Sequence, residues 1–334
     1  MGIAAIAVLA GFVCPSSLSR SAEIPARVIL DAHNCYPYNG DWSDRIQRAL
    51  GTGLPVAIEQ DLVWYRDPKT GRSRSIVSHG EPFDGKEPSL EQYFFETIRP
   101  NVENALREQK VSDWPLIILN LDFKTNEREH IEAVSSILAK YEAWLTTAPR
   151  TNEPSRRAPL DVKPVLVLTG DSAVQESVFS DAVPIGGRIR AFGAVQIQGL
   201  RNESQSVSTP PEVLVPRSAT NYRRWWNNPW RVVEAGGPPN AREWTKADRQ
   251  RLAMLVQHAH ARGYWIRFYT LNGHAAADSL GWDPAYNFGS IEKAKIRWRA
   301  AIDAGVDFIA TDQYEAFARV LHGLDPISPV RSRS

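Results

Sequence analysis

The stretch LPVAIEQDLVW, residues 54–64, places two carboxylates, Glu59 and Asp61, two positions apart in a largely apolar run. Alternate residues of a strand share a face, so both acids point the same way. Buried like charges are costly unless something positive meets them. A second run, PLIILNLDFK (115–124), puts Asn120, Asp122 and Lys124 on one face and Leu119, Leu121 and Phe123 on the other. With the two strands adjacent, Glu59, Asp61 and Asp122 make a three-carboxylate cluster. Oxygen-only donors suit one hard divalent cation, Mg²⁺ or Ca²⁺. Pairing of the acids by Lys124 and Arg267 would meet the same electrostatic need.

Two histidines join this set. His33 closes RVILDAHN (27–34), and His79 lies in SIVSHG (75–80). Two imidazoles near a cation suit general acid and base work at neutral pH. Lys124 and Arg267 suit the oxygens of an anionic substrate. Asp31 shares a face with His33 and reads either as its support or as a core pairing. Asp312 either orients a catalytic group or caps a turn. His258 and His260 sit two apart on a helical stretch, share no face and read as structural. Nothing favours the thiolate of Cys35, which reads as a small buried residue.

The elements that must position these residues alternate. Strand-like runs fall at 27–34, 56–64, 75–80, 115–124, 163–171, 189–199, 264–272 and 306–315. Amphipathic helical runs fall at 42–53, 89–109, 127–147, 245–263 and 290–305, the second kinked or broken at Pro100. Apolar strands between helices predict a parallel sheet covered by helices. Leaving out the short run at 75–80, seven strands are clear and one is blurred near 217–222, so the expected fold is α/β, a single-domain TIM (β/α)8 barrel. No GxGxxG follows the first strand, which argues against a dinucleotide fold. In a barrel the strand C-termini carry the active site, and the polar residues fall there. YRRWWNNPW (222–230) is expected as an aromatic lid after the sixth strand. There Trp225 and Trp226 would offer cation–π faces to a headgroup, or simply cover the barrel end.

Residues 3–13 are apolar and uncharged, and small and polar residues follow. Residues 1–22 therefore read as a signal peptide and 23–334 as the mature barrel, exported to the periplasm or secreted. No Lys or Arg precedes the apolar run, so the true start codon is expected upstream. Cys14 would leave with the signal, and Cys35 would be the single thiol. A net charge of +1 over 334 residues gives no basis for a nucleic-acid groove.

The order His33, Glu59-x-Asp61, IVSHG, Asp122-x-Lys124, YTLN (269–272) and GVDFIATD (305–312) resembles the PLC-like phosphodiesterases. This TIM-barrel superfamily holds glycerophosphodiester phosphodiesterases, phosphatidylinositol-specific phospholipases C and sphingomyelinase D. The resemblance spans about residues 27–320. It implies His33 and His79 as the acid–base pair and Glu59 and Asp61 as metal ligands. Tyr269 through Asn272 would stand for the family's Trp-Thr-x-Asn, and Asp122 with Lys124 is most like sphingomyelinase D. The chain departs from the glycerophosphodiesterases at Asn34, where their arginine meets phosphate, and it lacks their ENT motif. Its AHNCYPYNGDWSDRIQRAL opening is similar to a branch that includes the fungal altered-inheritance-of-mitochondria proteins.

The expected function is a metal-dependent phosphodiesterase of lipid metabolism with a small-molecule or lipid diester substrate. Asn34, Lys124, Arg267, Tyr269, Asn272, Trp225 and Trp226 are the expected substrate contacts. The expected protein is a monomer that touches a membrane surface transiently. A non-catalytic phosphate- or headgroup-binding barrel and a TIM-barrel glycoside hydrolase are the competing readings. The second would use acids on different strands and need no pair of histidines.

Overall fold

Eight parallel strands close into a barrel in the computed structural model, which describes residues 27–37, 43–108, 114–195, 197, 206–275 and 284–325. The expected signal peptide lies outside the described residues. The strands are β1 (Ile29–Ala32), β2 (Val56–Arg66), β3 (Ser73–Val77), β4 (Ile117–Phe123), β5 (Ala148–Pro149), β6 (Val165–Thr169), β7 (Arg188–Ile189), β8 (Phe192–Ala194), β9 (Arg223–Pro229), β10 (Trp265–Tyr269) and β11 (Phe308–Thr311). Around the barrel they run β1, β2, β4, β6, β8, β9, β10, β11, and β11 returns to β1. β3 folds back antiparallel on β2 and stands outside the ring, while β5 and β7 form a separate ribbon. The helices are α1 (Arg45–Gly51), α2 (Glu96–Arg107), α3 (Arg128–Lys140), α4 (Ala173–Glu176), α5 (Pro211–Leu214), α6 (Lys246–Ala261), α7 (Ile291–Ala304) and α8 (Tyr314–Leu321).

The strand pattern decides which residues reach the pocket. Phe123 on β4 meets His130 of α3 edge-on at 5.1 Å, so its face packs against the helices. Asn120 and Asp122 therefore turn inward. Parallel register sets Glu59 beside Asn120 and Asp61 beside Asp122, so β2 and β4 bring their acids to one level.

Three local expectations are corrected. The sixth barrel strand is β9 at 223–229, not a segment near 217–222, and YRRWWNNPW forms that strand rather than a lid. Its two tryptophans hide the alternation because both faces of the strand are apolar and buried there. The run 189–199 carries the short barrel strand β8 and the last residue of β7 rather than one long strand. Within β8, Gly193 lies so close to Tyr222 that a Cβ would come within 2.3 Å of its ring. The helix with Pro100 is continuous from Glu96 to Arg107, but a π-helical turn, Glu91–Phe95, precedes it. That wider turn adjoins the carbonyl of Glu96, which the proline ring crowds and cannot hydrogen-bond.

Candidate active site

A pocket of about 210 Å³ opens at the C-terminal ends of the barrel strands. His33, Asn34, Glu59, His79, Asp122, Lys124, Trp225, Arg267 and Tyr269 line it, together with Asn120, Asn227 and Tyr286. Most of the residues expected from the sequence thus meet in one place. The acids come first. One oxygen from each of Glu59, Asp61 and Asp122 lies within 4.8 Å of the others. Asp61 is fully buried, and neither of its oxygens accepts a hydrogen bond. Lys124 Nζ stands 3.3 Å from Asp61 and 2.7 Å from Asp122, and Arg267 donates to Glu59 at 2.7 Å. Burial and the neighbouring Asp122 push the Asp61 carboxyl well above its ordinary range, against the pull of Lys124. Burial also raises Glu59, against Arg267 and His33. Burial acts against the charge of Lys124, yet Asp61 and Asp122 carry it above the ordinary lysine value. A cluster with two buried, hydrogen-bond-free oxygens and only oxygen donors fits a hard divalent cation.

His33 is held on several sides. Its Nε2 lies 3.7 Å from Glu59 and its Nδ1 3.3 Å from Asp312. Asn34 Nδ2 is 2.9 Å from that Nδ1 and donates to Asp312 at 3.0 Å. Burial opposes charge on this imidazole, but Glu59 and Asp312 raise its pKa. Asp312 also accepts a close hydrogen bond from Asn272, and its backbone N–H donates to Asn272 Oδ1 at 2.8 Å. Of the two roles open to Asp312 in the sequence, the one beside His33 is the one seen. Tyr314 Oη donates to the His33 carbonyl at 2.6 Å, and Arg45 to the Asn34 carbonyl at 2.6 Å. Asn34 itself has a left-handed backbone, φ 52°, which asparagine tolerates better than most residues. Asp31 does not support His33. It takes a close hydrogen bond from Arg267 and one from Asn120 at 3.4 Å.

His79 lies in the segment after β3 and is exposed. Its ring stacks on Tyr36 with centroids 6.0 Å apart. Burial of part of the ring and the charge of Lys124 lower its pKa.

Two expected substrate contacts, Asn272 and Trp226, need correction, and two others, Trp225 and Arg267, line the pocket with polar atoms already engaged. Asn272 is fully buried under Asp312 and does not reach the pocket. Trp226 turns outward and meets His258 of α6 edge-on, because it alternates with Trp225 along β9. Trp225 lines the pocket but its Nε1 is held by the Thr169 carbonyl at 2.9 Å. Arg267 lines the pocket with each nitrogen already committed, to Asp31, Glu59 and Asn227. Tyr269 keeps its place, 6.4 Å from His33 and stacked on it.

Tyr286 and Arg45 are pocket residues or supports that sequence reasoning missed. Tyr286, 5.8 Å from His33, comes from a short 3-10 turn with no periodic signal. Arg45 left a readable trace: a charged residue on the buried face of an amphipathic helix. His258 and His260 are structural as read, bonded to the Val215 carbonyl and to Asp307, each at 2.8 Å. Cys35 is buried, and burial pushes its thiol up to about 12.

No protein-family model matches the chain, and no curated protein does. Among solved structures, a glycerophosphoryl diester phosphodiesterase from Parabacteroides distasonis is 15% identical over 93% of this chain and 91% of its own, with a TM-score of 0.42. A calcium-dependent phosphoinositol-specific phospholipase C from a Pseudomonas species is 16% identical over 86% and 90%, with a TM-score of 0.45. A Plasmodium falciparum HPPK-DHPS is 11% identical over 92% of this chain and 48% of its own, with a TM-score of 0.40. Likenesses this distant decide nothing about chemistry, which rests on the residues above.

Proposed function

We propose that this chain is a phosphoric diester hydrolase of the PLC-like kind, which cleaves a glycerophosphodiester or a phospholipid headgroup diester. Its support is one juxtaposition: two imidazoles, Glu59 and Asp122 line a single pocket, and the buried Asp61 carboxylate clusters with those two acids within 4.8 Å. Glu59, Asp61 and Asp122 would hold one divalent ion, Mg²⁺ or Ca²⁺. When bound, that ion supplies positive charge to the phosphoryl oxygens.

The chain's own residues do the rest. One imidazole takes the proton from the attacking water or substrate hydroxyl as the new P–O bond forms. The other gives a proton to the leaving alkoxide as the old P–O bond breaks. Asp312 and Asn34 fix the plane of His33, and Glu59 lies on its far nitrogen. Lys124 stands beside Asp61 and Asp122 and Arg267 beside Glu59, and Tyr269 and Tyr286 wall the side of His33. Export, a monomeric state and transient contact with a membrane surface belong to the same proposal.

The test is hydrolysis of bis(p-nitrophenyl) phosphate, with EDTA and then with Mg²⁺ or Ca²⁺ restored. A chelator-sensitive activity that returns with metal and is missing in Asp61→Asn is the expected result. Chelator-resistant hydrolysis by both proteins would overturn it. A panel of glycerophospho- and lysophospho-diesters then identifies the headgroup.

A further inference from the structure

His79 reaches the pocket from a segment outside the barrel ring, and one buried node lies behind the strand that carries it. The segment follows β3, an edge strand that pairs only with β2. Among the described residues the His79 ring makes no hydrogen bond. Its backbone neighbours fix it instead: Ser78 N–H donates to the Asp61 carbonyl at 2.9 Å, and Val77 N–H to the Pro88 carbonyl at 2.9 Å. The position of His79 therefore depends on where β3 sits against the barrel.

His130 decides that. It lies on α3 and is fully buried. Its Nε2 meets Ser75 Oγ of β3 at 2.9 Å, and its Nδ1 meets Thr125 Oγ1 at 2.9 Å. Thr125 Oγ1 also accepts the Trp64 N–H of β2 at 2.8 Å. Nδ1 also lies 3.3 Å from the Thr125 carbonyl, which can only accept, so Nδ1 carries the proton of the neutral ring. Nε2 then accepts from the Ser75 hydroxyl, and both nitrogens are satisfied. Trp64 stacks on one face of the imidazole at 5.4 Å, and Phe123 meets it edge-on at 5.1 Å. One side chain thus joins β2, β3, the turn after β4 and α3. Phe123 is the neighbour of Asp122, and Ser75 stands four residues before His79. A buried, fully bonded polar group of this kind specifies one arrangement of the elements it joins.

We propose that His130 is a positioning residue, which sets His79 against the carboxylate cluster through Ser75 and Thr125. This rests on the phosphodiesterase reading for its kinetic arm and not for its spectroscopic one. In the kinetic arm, His130→Ala, His130→Gln and Ser75→Ala are compared with wild type and in a His79→Ala background. A misplacement of about 1 Å costs up to roughly 100-fold in rate. His130→Ala is expected to lower kcat by about 10- to 100-fold with little change in KM, and Gln to restore part of that. In the His79→Ala background the same change is expected to cost nothing further, because non-additivity marks residues that act as one unit. An equal loss in both backgrounds would make His130 merely structural and overturn the proposal.

The spectroscopic arm needs no turnover. With ¹³Cε1-labelled histidine, the His79 resonance carries the ring current of Tyr36. It is expected to move in His130→Gln and Ser75→Ala, both kept folded as judged by circular dichroism. An unmoved His79 resonance in folded variants also overturns the proposal. If wild type cleaves no diester yet the resonance moves, the phosphodiesterase reading fails and the positioning role stands.

Discussion

His33 and His79 are the same side chain held in opposite ways. His33 is 5% exposed, rooted at the end of a barrel strand, and surrounded by Glu59, Asp312, Asn34 and Tyr269. His79 is exposed, borne on an edge hairpin, and rests on one aromatic ring. The first is preorganised by the barrel itself. The second owes its place to a hairpin that is pinned from behind. A barrel fixes what stands on its strands but only leans on what it carries outside the ring. One wall of the pocket stands on the barrel strands, and the other on a hairpin held by its ladder to β2, by two backbone hydrogen bonds and by His130.

The comparison breaks most completely at the acids that both histidines face. Asp61→Asn should abolish divalent-ion binding by calorimetry and with it chelator-sensitive diester cleavage, since it removes the buried carboxylate that accepts no hydrogen bond. Retained ion binding would move the cation elsewhere.

The next effect is on turnover. His33→Ala and His79→Ala should each lower kcat by about 10²–10⁴-fold, the range for loss of a general acid or base. Their stabilities should diverge. Urea unfolding should show His33→Ala destabilised by about 1–3 kcal/mol, because it leaves buried partners unpaired. His79→Ala should stay within about 0.5 kcal/mol of wild type, as exposed positions do. Equal destabilisation would erase the distinction.

A smaller effect concerns the pin. Burial holds the His130 imidazole down to about 4, against an ordinary value of 6.5, and Glu127 is the charged group that acts on it. Between those values the unfolded chain takes a proton that the folded protein refuses. Wild type should therefore lose stability as pH falls from about 6.5 toward 4, and His130→Gln should lack that part of the loss. The gap between the two, measured by urea unfolding at stepped pH, should narrow as the pH drops. A constant gap would mean that His130 titrates normally.

The smallest effect tests the two faces of β9. Trp226→Phe should leave kcat and KM unchanged, since its ring lies among the outer helices. Trp225→Phe should raise KM, because it alters a pocket wall and frees the Thr169 carbonyl. Equal effects would put both rings on the same side.

Much of the site was legible before any coordinates. Glu59, Asp61 and Asp122 were readable because strand periodicity is local and acids in apolar strands are conspicuous. Their adjacency required only that consecutive barrel strands be neighbours, and β2 pairs with β4 as expected. The barrel itself followed from strand–helix alternation and a count of eight strands. Other features were hidden. β9 escaped because apolar rings on both faces erase the period of two. Pairing of Arg267 with the acids was one alternative in the sequence, but its bond to Asp31, 236 positions away, was not. Tyr286 reaches the pocket from a short 3-10 turn whose direction no local rule sets, and Asn227 from the strand whose period was hidden.

The sequence by itself determined the fold class, the faces of the strands whose alternation is clear, and the residue types that gather at the strand ends. These depend on short-range sterics and on burying apolar surface, and both are written along the chain. Only the tertiary structure decided who pairs with whom: Asp312 with His33, Arg267 with Asp31 and Glu59, His130 with Ser75 and Thr125. Hydrogen bonds and ion pairs act over about 3 Å, so they depend on distances between remote segments that only ring closure and helix packing set.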